Sequence, residues 1–261
     1  MIPFSLAIPT EIFRQPLKKS IMLAAQTGVT GVQLDDIGEL KPAELSETGR
    51  RQFLHSLKEV GLSVAAVKYR TRHPLAYEEN LDARVAGLKS AMQTAAQLRA
   101  KKVTVRLGKL PDEDDSKTNT TLVNILNDVA QWGNHIGVIV ALSVATTAPQ
   151  QLEQLLAKIT TGRIGLNFDP VSCLMAGTSP AEILKKFHSQ IEQVTGRDAF
   201  ADVDGLTQET VLGMGQVDWN EIVAMLYESG YQQWLIIDRQ ESENRLNDVR
   251  QGIQFLKQIG M

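Results

Sequence analysis

The chain is poor in the residues that announce a special class of protein. Its 261 residues include one cysteine, Cys173, which excludes an internal disulfide framework and any Cys-rich zinc site. Apolar runs are short, and even Ile136–Leu142 falls far below the roughly 18 residues that a membrane helix needs. Neither sign of charge dominates. Lys+Arg 27 against Asp+Glu 30 gives a net charge of −3, which argues against a nucleic-acid sleeve or a general binder of anionic membranes while permitting a local basic pocket. The first strand-like segment is followed by Pro9-Thr10-Glu11-Ile12 and not by a Gly-x-Gly turn, the best cue for an open doubly wound sheet. The opening residues Met-Ile-Pro-Phe-Ser-Leu-Ala-Ile lack a basic region and a small-residue cleavage site, so the expectation is a cytoplasmic protein.

What is present is an ordinary globular balance, 43% hydrophobic and 22% charged, arranged in strict alternation. Short β-branched runs recur at Phe4–Ile8, Val32–Leu34, Ser63–Lys68, Lys102–Leu107, Gly137–Ser143, Ile164–Phe168, Ile191–Gly196 and Trp234–Asp238. Between them lie segments of helical period, such as Leu81, Val85, Leu88, Met92 and Ala95, or Leu246, Val249, Ile253 and Leu256. Ser179-Pro180-Ala181-Glu182 reads as a capping box with proline at the first helical position, and Asp218 with Glu221 follows the same logic. Gly28, Gly61 and Gly230 stand where helices should stop. Eight strand–helix units in a chain near the usual length of about 250 predict a single (β/α)8 TIM barrel occupying residues 1–261. The one charge run, Pro111 to Ser116, reads as a solvated loop, since it lacks the Gly and terminal Glu of a calcium loop.

In such barrels chemistry sits at the C-terminal strand ends, and alternation decides which side chains face the mouth. One parity collects Gln33 and Asp35, Lys68 and Arg70, Thr104 and Arg106, Ala141 and Ser143, Asn167 and Asp169, Thr195 and Arg197, and Ile236 and Asp238. The opposite parity is almost all apolar, as packing against outer helices requires. The mouth is thus rich in guanidinium, whose planar fork suits phosphate or carboxylate. The alternative is that Asp35, Asp169, Asp198 and Asp238 neutralise these cations internally.

Two stretches carry a family resemblance. Gly165-Leu-Asn-Phe-Asp-Pro-Val-Ser-Cys-Leu-Met-Ala-Gly177 resembles the sixth strand and following loop of xylose-isomerase-like sugar phosphate isomerases/epimerases. Val211-Leu-Gly-Met-Gly-Gln-Val-Asp-Trp219, continuing to Glu228-Ser-Gly-Tyr-Gln-Gln-Trp-Leu-Ile-Ile-Asp238, is similar to their seventh loop, seventh helix and eighth strand, and Val194-Thr-Gly-Arg-Asp198 to their seventh strand. The resemblance implies a divalent metal held by Glu, Asp, His and Glu on strands five to eight. Those positions are Ser143, Asp169, Thr195 and Asp238 here, so one ligand is kept, one is shortened and two become neutral hydroxyls. No tightly bound cofactor is expected, and at most a weakly held Mn, Mg or Co ion on Asp169 and Asp238. The multi-zinc cluster of apurinic-site endonucleases, which share this fold, is out of reach. His55, His135 and His188 fall on helices, and only His73 approaches the mouth. Cys173 reads as a packing residue rather than a nucleophile.

The resemblance implies a sugar or sugar-phosphate isomerase/epimerase-like enzyme with a degenerate metal site, moving a proton next to a carbonyl. Asp238, Asp169 and Lys68 are the catalytic candidates; Arg70, His73, Arg106, Asn167, Arg197 and Arg239 are the substrate-binding candidates. The partner expected is a small anionic carbohydrate-like molecule, with no nucleic acid and no membrane; a homo-oligomer is compatible. The rival reading is a non-catalytic barrel that binds an anionic metabolite as a sensor or partner subunit.

Overall fold

The β-branched runs do form strands, and the reason is burial on both faces. Each strand has the barrel interior on one side and a helix layer on the other, so near-continuous apolar runs are stable there. A computed structural model describes residues 4–37, 46–73, 75, 77–144, 148–201 and 207–260. The strands are β1 (Ser5–Pro9), β2 (Gly31–Asp35), β3 (Ser63–Tyr69), β4 (Lys102–Arg106), β5 (Ile139–Ser143), β6 (Ile164–Phe168), β7 (Ile191–Gly196), β8 (Asp198–Ala201), β9 (Thr207–Thr210) and β10 (Trp234–Ile237). The helices are α1 (Leu17–Ala25), α2 (Glu47–Glu59), α3 (Leu81–Gln97), α4 (Ser116–Ile136), α5 (Pro149–Ala157), α6 (Pro170–Met175), α7 (Pro180–Phe187), α8 (Trp219–Glu228) and α9 (Arg245–Ile259). Strands β1 to β7 and β10 close into a barrel of eight parallel strands, in the order β1-β10-β7-β6-β5-β4-β3-β2. Every expected barrel strand is present, with ends shifted by no more than two residues. Gly137, for instance, ends α4 in the left-handed region at φ 74° instead of opening β5.

The caps follow their chemistry. Ser179 accepts from the Glu182 amide at 3.3 Å and Asp218 from the Glu221 amide at 3.0 Å, each satisfying an otherwise orphaned donor at a helix start. The main core lies between strands and helices, with Ile8, Leu34, Val67, Val103, Leu142 and Leu235 all fully buried. Inside the barrel, the end away from the mouth is filled. The Trp234 ring lies over Gly31, where a Cβ would meet it at 2.7 Å. Lys102, buried at the start of β4, donates to the Gln233 side chain at 2.6 Å and to the Glu192 carbonyl at 2.5 Å, with the Glu192 carboxylate 3.4 Å away. Arg163 closes on that carboxylate at 2.5 Å from outside. Among the described residues no helix is long and apolar enough to cross a membrane.

The element missing from the sequence reading is the antiparallel pair β8–β9, inserted between β7 and α8. Asp198, which the alternative reading assigns to neutralising the mouth, organises this insertion instead. Fully buried, it accepts four backbone N–H bonds: from Ala199 at 2.9 Å, Val217 at 3.1 Å, Gly213 at 3.0 Å and Gly215 at 3.0 Å. Those bonds fold the segment after β9 around one carboxylate. A Cβ on Gly215 would come within 2.1 Å of Asp198 Oδ1, so the knot requires glycine there.

Candidate functional site

The inward parity of the barrel strands delivers its polar side chains to a cavity of about 620 Å³ at the C-terminal end. Lys68, Arg70, Arg106, Asn167, Arg197 and both Asp169 and Asp238 line it, as the alternation predicts. Two expected members do not. Arg239 turns away and is held by Glu209 of β9 at 3.0 Å and Asp248 of α9 at 2.9 Å, so it joins the insertion to the last helix. His73 is exposed and stacks on Tyr77, ring centroids 4.6 Å apart, outside the cavity lining.

The floor of the cavity is a neutral network. Asn167 donates to Ser143 Oγ at 2.8 Å and accepts from Gln193 at 3.1 Å and from the Thr195 hydroxyl at 3.0 Å. Gln33 donates to Thr104 at 3.3 Å. Above it the ionised groups divide into two sets. On the β6–β7 side, Arg197 grips Asp169 with Nε at 2.9 Å and Nη2 at 2.6 Å. The same carboxylate caps α6, accepting from the Val171 amide at 3.1 Å, the Ser172 amide at 3.3 Å and the Ser172 hydroxyl at 2.7 Å. Both oxygens of Asp169 are therefore committed.

On the other side, Glu11 holds Lys68 at 2.6 Å and Arg70 at 2.8 Å, while Arg70 also reaches Asp35 at 3.1 Å. Glu11 sits on the short 3-10 turn Thr10–Phe13 after β1, a position that strand parity does not address. Burial would raise Glu11, but Lys68 above all, aided by Arg70 and a hydrogen bond from Asp35, holds it below the usual glutamate value. Asp35 takes the proton of the pair. Burial and then the facing Glu11 carboxylate push it up to about 7, against Lys68 and Arg70.

That shift has a direction in stability. From its ordinary value of 3.8 up to about 7, the folded chain holds a proton on Asp35 that the unfolded chain has released. Its contribution is full below the ordinary value and is lost as pH rises through about 7. The Glu11 contribution runs the opposite way, below its ordinary 4.5. Between about pH 5 and 8 the wild type should lose on the order of 1–2 kcal/mol relative to Asp35→Asn, a melting-temperature difference of about 2–8 °C. Thermal scans of both proteins against pH test this, and parallel curves would refute the shared proton.

Three charged lining groups stand apart because the protein does not use them up; the neutral Thr71 Oγ1 and Gln193 Oε1 are likewise buried without a partner among the described residues. Arg106, exposed on the cavity wall, has no ion-pair partner among the described residues and makes one long bond, 3.4 Å, to the Arg72 carbonyl. Arg197 Nη1 has no acceptor among the described residues. Asp238 is 8% exposed; its Oδ2 accepts from Gln240 at 2.8 Å, while Oδ1 is buried without a partner. Burial, aided by the Glu11 and Glu209 carboxylates, raises Asp238 above the usual aspartate value against the pull of Lys68 and Gln240. Cys173 behind Asp169 is inert, because burial and then the Asp169 charge push its thiol up to about 12.

The closed eight-strand ring, the polar mouth and the Asp169 turn coincide with a match to the family described as xylose isomerase-like TIM barrel, over residues 21–259. The chain belongs to the xylose isomerase-like TIM barrel family. Among solved structures it is similar to a xylose isomerase domain protein from Planctomyces limnophilus, with TM-score 0.85, 20% identity, and 98% of this chain and 96% of that one covered. It is similar also to a xylose isomerase-like TIM barrel protein from Mycobacterium smegmatis in complex with magnesium, with TM-score 0.77, 15% identity, and coverage of 100% and 97%. An inosose dehydratase from Clostridium botulinum is 23% identical over 158 residues, 52% of this chain. That match spans about half, 53%, of the relative's own length.

A divalent metal of the kind the xylose isomerase-like fold implies does not fit the donors at these positions. Ser143 Oγ is bonded to Asn167, Thr195 donates to the same amide, and Asp169 is taken by Arg197 and the helix cap. At these positions that leaves one carboxylate oxygen without a partner among the described residues, the buried Oδ1 of Asp238. Among the described residues no group of three or more His, Cys, Asp or Glu is placed to hold a metal ion.

Proposed function

We propose that this barrel is a sugar-directed enzyme that moves a proton on the carbon beside a carbonyl, in a small polyhydroxylated substrate carrying an anionic group, with Asp238 as the base. The observation that carries the reading is the partnerless Oδ1 of Asp238, a buried carboxylate oxygen with no structural duty on the wall of the cavity. Leaving such an atom unsatisfied costs stability, and a reacting group is one reason to retain it. Of the five lining cations Lys68, Arg70, Arg106, Lys109 and Arg197, four are paired with carboxylates of the protein, and Arg106 is left without one among the described residues, which suits an anion there. Arg106, four strands around the ring from Asp238, would take the anionic end.

Removing the proton beside a carbonyl is the common first step of aldose–ketose isomerisation, epimerisation and dehydration of a hydroxyketone. The family match and the inosose dehydratase relative both agree with that step. With Ser143 in place of a second base, an epimerisation that needs carboxylates on both faces is disfavoured. Lys68, held by Glu11, is the remaining donor able to return a proton or assist a leaving hydroxyl.

The test is incubation in D2O with aldoses, ketoses, their phosphates and inososes, followed by NMR. At least one compound that raises the melting temperature should exchange its C–H beside the carbonyl. Stabilisation without exchange by every binder would favour the non-catalytic, metabolite-binding barrel. Inorganic phosphate isolates the anion site. Arg106→Ala should weaken its binding by about tenfold to a hundredfold, since one charge-assisted bond contributes about 1.5–3 kcal/mol. Equal phosphate affinity in the two proteins would remove Arg106 from the site.

A further inference from the structure

We infer that the Arg197–Asp169 pair takes the part of the divalent ion, so that Arg197 Nη1 is the fixed electrophile that receives the substrate's carbonyl oxygen and the reaction runs without metal. The inference deepens the proposed function and rests on it for the presence of a carbonyl.

Asp169 is the one carboxylate retained from the implied ligand set, and its charge is already compensated by a guanidinium. Nε and Nη2 of Arg197 are spent on it, with Nη2 also reaching Ser172 Oγ at 3.2 Å. This two-pronged grip fixes the plane of the guanidinium. The remaining terminal nitrogen, Nη1, meets no protein acceptor among the described residues, on a side chain that lines the cavity. A metal would have to displace that cation from Asp169 and then sit beside it.

Position supports the role. β7, which Arg197 directly follows, is the strand next to β10, which Asp238 directly follows, with Thr195 and Ile236 in register. A donor to the oxygen and a base for the neighbouring C–H thus stand at the ends of adjacent strands. The developing oxyanion would meet a preoriented positive donor, which costs no reorganisation at the moment of reaction. The C–H electron pair moves into a C=C bond, the carbonyl π pair moves onto oxygen, the proton goes to Asp238, and Nη1–H donates to the oxyanion.

The test uses oxalate, a planar dianion shaped like an enediolate, and Mn²⁺ alone. Calorimetry should give an oxalate affinity for EDTA-treated wild type equal to that of untreated protein, and Arg197→Lys should weaken it about tenfold or more. Electron paramagnetic resonance should find no Mn²⁺ site tighter than about 1 mM, a measurement that needs no variant. A tighter site lost in Asp169→Asn, oxalate binding abolished by EDTA or absent from wild type, or an Arg197→Lys affinity within about twofold of wild type would each overturn the inference. Oxalate binding lost in Arg106→Ala but kept in Arg197→Lys would overturn this assignment while leaving the mouth as the anion site. Loss in Arg197→Lys with no C–H exchange in D2O would leave the donor assigned and the enzymatic reading refuted.

Discussion

Asp198→Ala should cost at least about 4 kcal/mol of folding stability, because four backbone N–H groups lose their acceptor and each orphaned donor costs about 1–3 kcal/mol where water does not reach it. The buried carboxylate gathers Ala199, Gly213, Gly215 and Val217, and so ties the start of β8 to the segment between β9 and α8. Against a typical stability of about 5–15 kcal/mol the loss is large, and the melting temperature should fall by about 10 °C or more. Asp198→Asn should fare little better. Its oxygen can serve two of the amides, but its NH2 group turns a donor toward the other two. Thermal unfolding of both variants, with hydrogen exchange at Gly213 and Gly215, is the measurement. A melting temperature for Asp198→Asn within about 2 °C of wild type would show that the knot contributes little.

Asp238→Asn separates function from stability in the opposite sense. The side chain forms no ion pair among the described residues, since Arg197 is committed to Asp169 and Arg239 to Glu209 and Asp248. The amide keeps an oxygen for Gln240 and removes a charge that burial disfavours. Folding stability should therefore be unchanged or slightly higher. Turnover of an established substrate should fall by about 10² or more, the usual contribution of a positioned base, while binding persists. Turnover within a fewfold of wild type would end the assignment of Asp238 as base. A fall in stability comparable to that of Asp198→Ala would mean that Oδ1 has a structural partner.

The barrel was legible in the sequence because its signal repeats. Eight β-branched runs alternating with helical seams leave little room for another closed arrangement, and parity along each strand correctly sent Lys68, Arg106, Asn167, Asp169, Arg197 and Asp238 to one cavity. Parity works within a strand and for the one residue that follows it, as at Asp169, Arg197 and Asp238. Glu11 lies one turn beyond β1, and its hold on Lys68 and Arg70 depends on how that turn folds back. Arg239 lies just past the end of β10, where the loop and the β8–β9 insertion decide its direction. The insertion itself is two four-residue strands, too short to stand out beside the barrel runs. Asp198 follows Arg197 directly, and nothing in the sequence says that one faces the cavity while the other ties a knot beneath it.

The filled lower end has a kinetic consequence. Lys102, Glu192, Gln233 and Trp234 stop the barrel like a cork, with Arg163 pressing from outside. Among the described residues the mouth is the open end, so whatever leaves must pass where the next molecule arrives. For the proposed reaction, product should compete with substrate for the same entrance, and traffic through the rim would bound the rate once the chemical step is fast. Widening the rim at an exposed side chain such as Arg106 will then speed exchange only as far as it weakens the hold on the anion.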